Sequence, residues 1–410
     1  MADYDIVIVG AGVVGLTFAA AAAKLPVKIA VLDHKTEAPK WLESKLPVRV
    51  SAITPGSELI FKRLGVWDNI ARKRICMFNK TFVWDAVGRG EINFDADELG
   101  LPHLGHIIEN SAIAEALWEH CNQCENIDIY AGVSADAFYP DTDGGEILTP
   151  EINFTAKLFV AADGSHSWLR QQAAIEQKVK PYQQTAIVAT VKTAESHANT
   201  SMQSFLPTGP LAFLPLGNML DHAHLCSIVW STTEAEELMK LDTQVFETRL
   251  TEAFEYRLGE VELLTERIAF PLVMRQAKQY VANNVVLIGD AAHTIHPLAG
   301  QGMNLGLQDA AHLADHLMSA LQQKRPLYSK RALQSYARAR KAESQVMGKV
   351  VQALKLLFQP SNQLIPAVRS YGMQMTDRCK PVKHLLLRRA MGLIGDISNF
   401  SEFDASLYRE

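Results

Sequence analysis

A glycine-rich turn near the N-terminus constrains the fold of this chain more than any other feature of the sequence. Residues 10–15 read G-A-G-V-V-G, follow the apolar run 4–9 and precede a helix-like segment that extends to Lys24. A second apolar run, residues 27–32, ends at Asp33. This order of strand, glycine turn, helix, strand and acid is the fingerprint of a dinucleotide-binding βαβ unit.

Each residue of this fingerprint has its own physical role. Gly10 permits the tight turn, Gly12 lets a pyrophosphate approach the main chain, and Gly15 lets the helix pack closely on the strand. Asp33 is expected to accept hydrogen bonds from the hydroxyls of the adenosine ribose. Because NAD and FAD are bound in the same way, the fingerprint alone leaves the identity of the dinucleotide open.

Two later apolar runs also end in an acid. One leads to Asp163 and is followed by a short predicted helix that contains Arg170. The other, residues 285–288, leads to the pair Gly289 and Asp290. Three acids at strand ends suit a long ligand that carries several hydroxyls and two phosphates.

A turn rich in proline and glycine follows Asp290 and leads into a helix predicted from Met303. Gly300 and Gly302 leave the main chain uncovered beside Met303 and Asn304. The first amide groups of a helix have no partner within the helix and carry partial positive charge. This helix start is therefore predicted to hold an anion, or a ring that becomes anionic.

Composition and charge exclude several classes of protein. The chain has 410 residues, 48% of them hydrophobic and 21% charged, which is ordinary usage for two or three domains with substantial cores. Its formal net charge of -5 argues against nucleic acid as the main partner. No signal pattern is visible, and no apolar run approaches the roughly 20 residues that span a bilayer, so we expect a cytoplasmic location.

The cysteines predict neither disulfides nor a metal site. There are five of them, scattered along the chain, as in proteins of a reducing compartment. Cys121 and Cys124 have the spacing of a redox pair, but no second pair completes a zinc site and their segment has a helical pattern. Two ordinary thiols are the favoured interpretation, and no metal is expected.

Taken together, three motifs resemble those of the group A flavoprotein aromatic hydroxylases. They are the G-x-G-x-x-G turn with Asp33, the D-G-x-x-S-x-x-R of residues 163–170, and G-D-A-A-H followed by P-x-A-G-Q-G-x-N-L-G in residues 289–306. Within that group the chain is most similar to the ring hydroxylases of aerobic ubiquinone biosynthesis, above all those acting at carbon 5 of 2-octaprenylphenol. The segments that carry this closer likeness are 49–53, 104–110 and 293–302.

The resemblance implies an α/β chain, α+β overall, with three parts. The first is a discontinuous Rossmann-like FAD-binding domain of the glutathione-reductase and p-hydroxybenzoate-hydroxylase type. The second is an inserted antiparallel β-sheet substrate domain, and the third is a helical C-terminal segment. The expected bounds are 1–75, 100–180 and 275–345 for the FAD-binding domain, 76–99 and 181–274 for the substrate domain, and 346–410 for the C-terminal segment.

The resemblance also assigns roles to residues. Pro297 is expected beside the reacting edge of the flavin, and His293 is a candidate to assist catalysis, with a turn-stabilising role as its alternative. Arg49 is expected to face the flavin, and Arg170 to lie near a phosphate. The full set expected to contact FAD is Gly10, Gly12, Gly15, Asp33, Arg49, Asn110, Asp163, Arg170, Gly289, Asp290, Gly300, Gly302, Met303 and Asn304.

The implied reaction is hydroxylation of the aromatic ring of a polyprenylated phenol through a flavin C4a-hydroperoxide. NADPH or NADH would be the transient reductant and O2 the co-substrate. Two alternatives stay open: hydroxylation at another ring position, of the 2-octaprenyl-6-methoxyphenol type, and a flavin-binding scaffold or reductase in the same lipid pathway.

The last predicted helix, residues 384–400, mixes basic and apolar side chains. It is expected either to close the core or to contact the inner membrane or a soluble ubiquinone-biosynthesis complex. A homo-oligomer is a further expectation.

Overall fold

The computed structural model describes residues 1–47, 49–217, 223–297, 300–326, 328–358, 365–394 and 398–400; for residues 365–368 it describes the helical backbone alone. Ala299 of the glycine motif and parts of the predicted C-terminal segment lie outside these ranges.

The strands, numbered in chain order, are β1 (Ala2–Val9), β2 (Ile29–Asp33), β3 (Val50–Ile53), β4 (Ile75–Phe78), β5 (Lys80–Asp85), β6 (Glu91–Asp95), β7 (Gly105–Glu109), β8 (Ile127–Ala131), β9 (Ala137–Asp141), β10 (Gly144–Leu148), β11 (Phe154–Ala161), β12 (Gln177–Thr193), β13 (Thr200–Leu206), β14 (Gly209–Pro215), β15 (Leu225–Thr232), β16 (Val261–Leu263), β17 (Ile268–Ala277), β18 (Val281–Ala282), β19 (Val285–Leu287) and β20 (His293–Thr294).

The helices follow the same order, with short 3-10 turns at Ala96–Leu99 and Gly289–Ala291. They are α1 (Val13–Ala22), α2 (Pro55–Leu64), α3 (Trp67–Ala71), α4 (Asn110–Asn122), α5 (Trp168–Gln172), α6 (Ala235–Lys240), α7 (Thr243–Ala253), α8 (Gln301–Gln322), α9 (Lys330–Phe358), α10 (Ile365–Arg378) and α11 (Lys380–Ala390). Among the described residues, no helix is long and apolar enough to cross a membrane.

An eight-stranded sheet forms the dinucleotide-binding half. Strands β19, β11, β1, β2 and β8 are parallel neighbours in that order. They are strongly apolar because both faces are covered, one by α1, α4 and α8 and the other by the segment around β9, β10 and α5. In such sheets, ligands bind at the carboxyl ends of the strands.

A nine-stranded sheet forms the second half and is built mostly from the predicted insertion. Its order is β20-β17-β12-β15-β14-β13-β5-β6, with β16 beside β12. Its neighbouring strands are antiparallel, as expected, except at one place, where β5 and β13 are parallel. These two strands belong to separate excursions of the chain, so no hairpin fixes their relative direction. The sheet also extends beyond the expected bounds, to Gln177 at the start of β12 and Ala277 at the end of β17.

A small antiparallel sheet, β3-β7-β4, lies between the two halves. Its apolar residues share one buried cluster with residues of β14 and of the C-terminal end of the chain, which include Phe78, Ile107, Leu216, Leu387 and Met391. Helix α9 crosses the predicted boundary at residue 346 without a break, so the C-terminal helices continue directly from the dinucleotide-binding half.

Candidate active site

The predicted strand-end residues meet at one edge of the parallel sheet. Gly10 donates its N–H to the Leu32 carbonyl (2.7 Å), which holds the glycine turn against the end of β2. Ala162 donates to Val9 (2.8 Å), and Ile288 donates to Ala161 (3.1 Å). The ends of β1, β2, β11 and β19 therefore form one continuous rim.

The three glycines of the first turn have different surroundings. A Cβ added to Gly10, where φ is +108°, would lie 2.5 Å from the Ala162 carbonyl oxygen, and one added to Gly15 would lie 2.0 Å from the Gly10 carbonyl oxygen. A Cβ on Gly12 would meet nothing within 4 Å. Gly12 is also the N-cap of α1, and no side chain caps that helix. Open space thus lies over bare helix amides, which is the arrangement that a pyrophosphate needs.

Asp33 is held in place at the end of β2. Its Oδ2 accepts the N–H of Ala11 (2.7 Å) and its Oδ1 accepts the N–H of Lys35 (2.9 Å). These two main-chain donors fix the carboxylate beside the glycine turn, where the fingerprint predicts the ribose.

Asp163 follows β11 and is only partly satisfied. Its Oδ2 accepts the N–H of Leu169 (3.1 Å), whereas Oδ1 is buried and has no hydrogen-bond partner in the described part of the chain. Burial raises the pKa of the Asp163 carboxyl despite the hydrogen bonds that it accepts. A buried acceptor without a partner at the rim is a ready position for a ligand hydroxyl or amide.

Arg170 is bonded to the main chain beside the Gly289–Ala291 turn. Its side chain is buried, and Nη1 donates to the carbonyls of Ala291 (3.0 Å) and Ser165 (3.3 Å). The guanidinium therefore ties α5 to the Gly289–Ala291 turn. Because these donors are already used by main-chain carbonyls, the structure favours support of the turn over a phosphate contact.

The Gly289–Ala291 turn presents Asp290 to the cleft while its own main chain is anchored from behind. The Asp290 side chain is exposed at the rim. Desolvation by the surrounding protein atoms nevertheless raises the pKa of the Asp290 carboxyl. Gly289 donates its N–H to Asp309 Oδ2 (3.0 Å), and Asp309 also contacts His293 Nε2 (2.6 Å) and Arg340 Nε (2.8 Å).

His293 lies behind this turn and is buried, with Nε2 directed at Asp309. This position agrees with the turn-stabilising alternative and removes the imidazole from the open side of the rim.

Pro297 is half-buried, and its carbonyl accepts the N–H of Gly300 (2.9 Å), which fixes the turn before α8.

The start of α8 resembles that of α1 in being open. Gly300 is the N-cap, no side chain caps the helix, and a Cβ on Gly302 would meet nothing within 4 Å. Asn304 is buried and bridges to β3, since its Nδ2 donates to the Ala52 carbonyl (2.8 Å) and its Oδ1 accepts the N–H of Thr54 (3.1 Å). What α8 offers a ligand is therefore main-chain amides, including those beside the half-buried Met303.

Arg49 and Asn110 are neighbours, since Asn110 donates its N–H to the Arg49 carbonyl (3.2 Å). Arg49 precedes β3, is exposed, and has its guanidinium 5.9 Å from the ring centre of Phe270 in the second sheet. Asn110 begins α4, and its Oδ1 accepts the hydroxyl of Ser51 (2.7 Å). The bridge from Asn304 to β3 and this Ser51 contact could not be found from motif spacing, because the partners lie far apart in the sequence.

Comparison with known proteins identifies the kind of site. The model of the FAD binding domain family matches residues 3–351. The chain belongs to this family. It is 34% identical over 400 residues to 3-demethoxyubiquinol 3-hydroxylase of Escherichia coli, covering 95% of this chain and 98% of that one. It is 31% identical over 438 residues to the human ubiquinone biosynthesis monooxygenase COQ6, covering 94% and 92% of the two chains.

Solved structures agree on the fold of this FAD-binding family. Over 95% of this chain and 98% of the other, p-nitrophenol 4-monooxygenase PnpA of Pseudomonas putida DLL-E4 superposes with a TM-score of 0.76 at 18% identity. The protein is an FAD-dependent aromatic monooxygenase, and it belongs with the ubiquinone-biosynthesis hydroxylases. The open amides of α1 and α8 and the spaces over Gly12 and Gly302 fit this cofactor.

Proposed function

We propose that this monooxygenase hydroxylates the aromatic ring of a polyprenylated phenol in ubiquinone biosynthesis, with NADPH or NADH as reductant and O2 as co-substrate. Because of the motif resemblance, carbon 5 of 2-octaprenylphenol is the ring position that we propose first. The Escherichia coli relative is named for position 3 of a demethoxyubiquinol. Another ring position, of the 2-octaprenyl-6-methoxyphenol type, is therefore the alternative.

The observation that carries this proposal is the pairing of two uncapped helix starts at one rim. Helix α8 passes very close to α1, since a Cβ on Gly306 would lie 2.7 Å from Cγ2 of Val14. The amides at the start of α1 suit the pyrophosphate of FAD. Those at the start of α8 suit the flavin ring, because they would stabilise the negative charge that the ring carries when it is reduced. The proposed FAD contacts remain those expected from the sequence, with Arg170 and His293 assigned to supporting the turn.

The chain's own residues need to position the reactants and exclude water. Bound, reduced FAD would supply activation of O2, so that one oxygen atom passes to an electron-rich ring and the other leaves as water. Ala52, which accepts from Asn304 at the start of α8, packs on the apolar cluster of Phe78, Leu216 and Met391. This apolar layer would keep water from the reacting atoms.

The C-terminal helices supply the proposed contact with a membrane or a partner. On α11, Leu387 is buried in the core, whereas Leu385 and Leu386 are 59% and 50% exposed. Further exposed apolar residues on α9 to α11 are Val346, Val350, Leu356, Leu357, Tyr371, Met375 and Val382. We propose a cytoplasmic protein whose α11 closes the core with one face and contacts the inner membrane or a biosynthetic complex with the other, with self-association as a further alternative.

Vesicle flotation tests the role of this face. Replacing Leu385 and Leu386 together by glutamine should reduce flotation with anionic vesicles or recovery with the complex. The control is Val245→Gln, which changes an exposed apolar residue on α7. Equal association of both variants with wild type would reject the docking role.

An ¹⁸O₂ incorporation assay tests the reaction itself. Purified FAD-loaded protein is mixed with NAD(P)H and a short-chain prenylphenol, and the products are analysed by mass spectrometry. Label in the ring is expected, and the substitution pattern distinguishes the two candidate positions. Consumption of NAD(P)H with peroxide as the sole product would contradict this substrate. An oxidised flavin that NAD(P)H never reduces would favour the scaffold alternative.

A further inference from the structure

Two histidines and a glutamate converge inside the protein. Glu58 lies on α2, His103 precedes β7, and His106 lies on β7. Their exposures are 2%, 5% and 6%. Glu58 Oε2 is 3.2 Å from His103 Nε2 and 3.3 Å from His106 Nδ1, and one ligand atom from each residue lies within 4.8 Å of the others.

Ion-pair contacts join Glu58 to the two histidines, but they leave two of the converging atoms without a well-formed hydrogen bond. Among the described residues, neither Glu58 Oε2 nor His106 Nδ1 has a hydrogen-bond partner of acceptable geometry. Buried polar atoms normally have such partners, and leaving one unsatisfied costs about 1–3 kcal/mol. One carboxylate oxygen and two imidazole nitrogens therefore converge on one small buried region.

The spacing and the chemistry of these atoms fit a metal ion. With bonds of about 2.0–2.1 Å, neighbouring ligands of a tetrahedral zinc ion are about 3.3–3.4 Å apart. The separations of Glu58 Oε2 from the two imidazole nitrogens, 3.2 and 3.3 Å, are close to this value. Two imidazole nitrogens and one carboxylate oxygen form a ligand set that zinc uses, with a fourth position left for water.

Neighbouring residues orient the ligands. Lys62 Nζ lies 3.1 Å from the other carboxylate oxygen of Glu58, Oε1, and so leaves Oε2 for the ion. The Trp67 ring packs edge-on against His106, with ring centres 5.0 Å apart. Such outer contacts are what hold metal ligands in position.

We propose that Glu58, His103 and His106 bind one divalent transition-metal ion of the zinc class. The ion would join α2 to β7 under the flavin side of the molecule. Helix α2 follows its N-cap residue Thr54, whose N–H donates to Asn304 at the start of α8. The role is structural support, and it is independent of the substrate. Sequence spacing gave no sign of it, because Glu58 and the histidines are distant in the chain.

Zinc binding by the full-length, FAD-loaded protein without an affinity tag tests this proposal. The protein is treated with a chelator, dialysed and titrated with ZnCl2 by calorimetry, and its zinc content is measured after gel filtration. About one zinc per chain and a rise in Tm are expected. Glu58→Gln and His106→Gln should each weaken binding at least about tenfold. The control is His120→Gln, a half-buried histidine of α4 outside the cluster, which should bind zinc as wild type does.

Two results would overturn the proposal: wild-type protein that takes up no stoichiometric zinc, or ligand variants that bind as wild type does. If the variants do not fold, cobalt(II) added to wild-type protein decides instead. Intense visible bands of a tetrahedral cobalt site that disappear when zinc is added are expected, and their absence refutes the site.

Discussion

Replacing Asp309 with asparagine tests the support behind the cofactor rim. Asp309 lies fully buried on α8, where it accepts the N–H of Gly289 and contacts His293 and Arg340 at 2.6 and 2.8 Å. These partners come from the turn that carries Asp290, from β20 and from α9. One carboxylate therefore holds together three stretches of chain behind the proposed FAD contact.

The expected effect on stability is large. Asparagine keeps the shape of the side chain but removes the negative charge that faces the buried Arg340 guanidinium. Removing one partner of a buried ion pair costs about 3–5 kcal/mol. Since folded domains are stable by about 5–15 kcal/mol, we expect Asp309→Asn to lose about 3 kcal/mol or more of its free energy of unfolding.

Urea unfolding of the FAD-loaded protein, followed by circular dichroism and by flavin fluorescence, measures this loss. The control is Glu236→Gln, the same change in an exposed pair with Lys240 (2.7 Å) whose glutamate side chain is 87% exposed. That control should lose at most about 0.5 kcal/mol. A loss below about 1 kcal/mol for Asp309→Asn would refute the reasoning, because the carboxylate would then not be a required counterion.

Comparison of wild type with Asp309→Asn also gives a prediction for the pH dependence of stability. Burial by itself raises the pKa of Asp309, but His293 and Arg340 lower it by more, so the folded-state pKa lies below its ordinary value. Such a carboxylate stabilises the fold above its unfolded pKa of about 4, and this stability is lost as the pH falls through the folded pKa. The difference between wild type and Asp309→Asn should therefore be constant from about pH 8 to 5 and shrink below about pH 4. A difference that grows on acidification would contradict the assigned shift.

Four further changes test the rim itself. Gly15→Ala places a Cβ 2.0 Å from a backbone oxygen and should lower both Tm and FAD content, whereas Gly12→Ala meets nothing within 4 Å and should lower FAD content with little change in the Tm of the apoprotein. Asp290→Ala should lower the flavin absorbance per chain, and a fully flavinated variant would count against its role. Gly306→Ala, 2.7 Å from Val14, should weaken FAD binding, unlike Gly348→Ala, which meets nothing within 4 Å.

The parts of the fold that follow from short stretches of sequence were predicted well. The helix-like segment predicted after the first glycine turn is α1, which ends at Ala22, two residues before the predicted Lys24. Apolar runs before Asp163 and Gly289 form the strands β11 and β19, and the helix predicted from Met303 is α8, which begins two residues earlier, at Gln301. These features depend on neighbouring residues, and the geometry of parallel strands then brings their ends to one edge.

Contacts between distant stretches of sequence could not be predicted in this way. Asp309 and Arg340 are 31 residues apart and lie on different helices, and nothing local marks them as a pair. Arg170 is the last residue of a recognisable motif, yet its guanidinium donates a hydrogen bond to the Ala291 carbonyl because the Gly289–Ala291 turn passes beside it. The parallel pairing of β5 with β13 likewise depends on how two separate excursions of the chain meet.

The close contact of α1 and α8 explains how two glycine turns at opposite ends of the sequence can serve one ligand. Gly306 lets α8 pass against Val14 on the first turn of α1, and Gly289 packs on the same valine. Both helices therefore begin at the same rim, and neither start is capped by a side chain. Because the positive character of a helix start is confined to its first turn, two such starts side by side can hold a pyrophosphate and a ring that becomes anionic within one extended molecule. A single helix start could stabilise only one of these charges, so the packing of α1 on α8 is what the proposed binding of FAD at this rim requires.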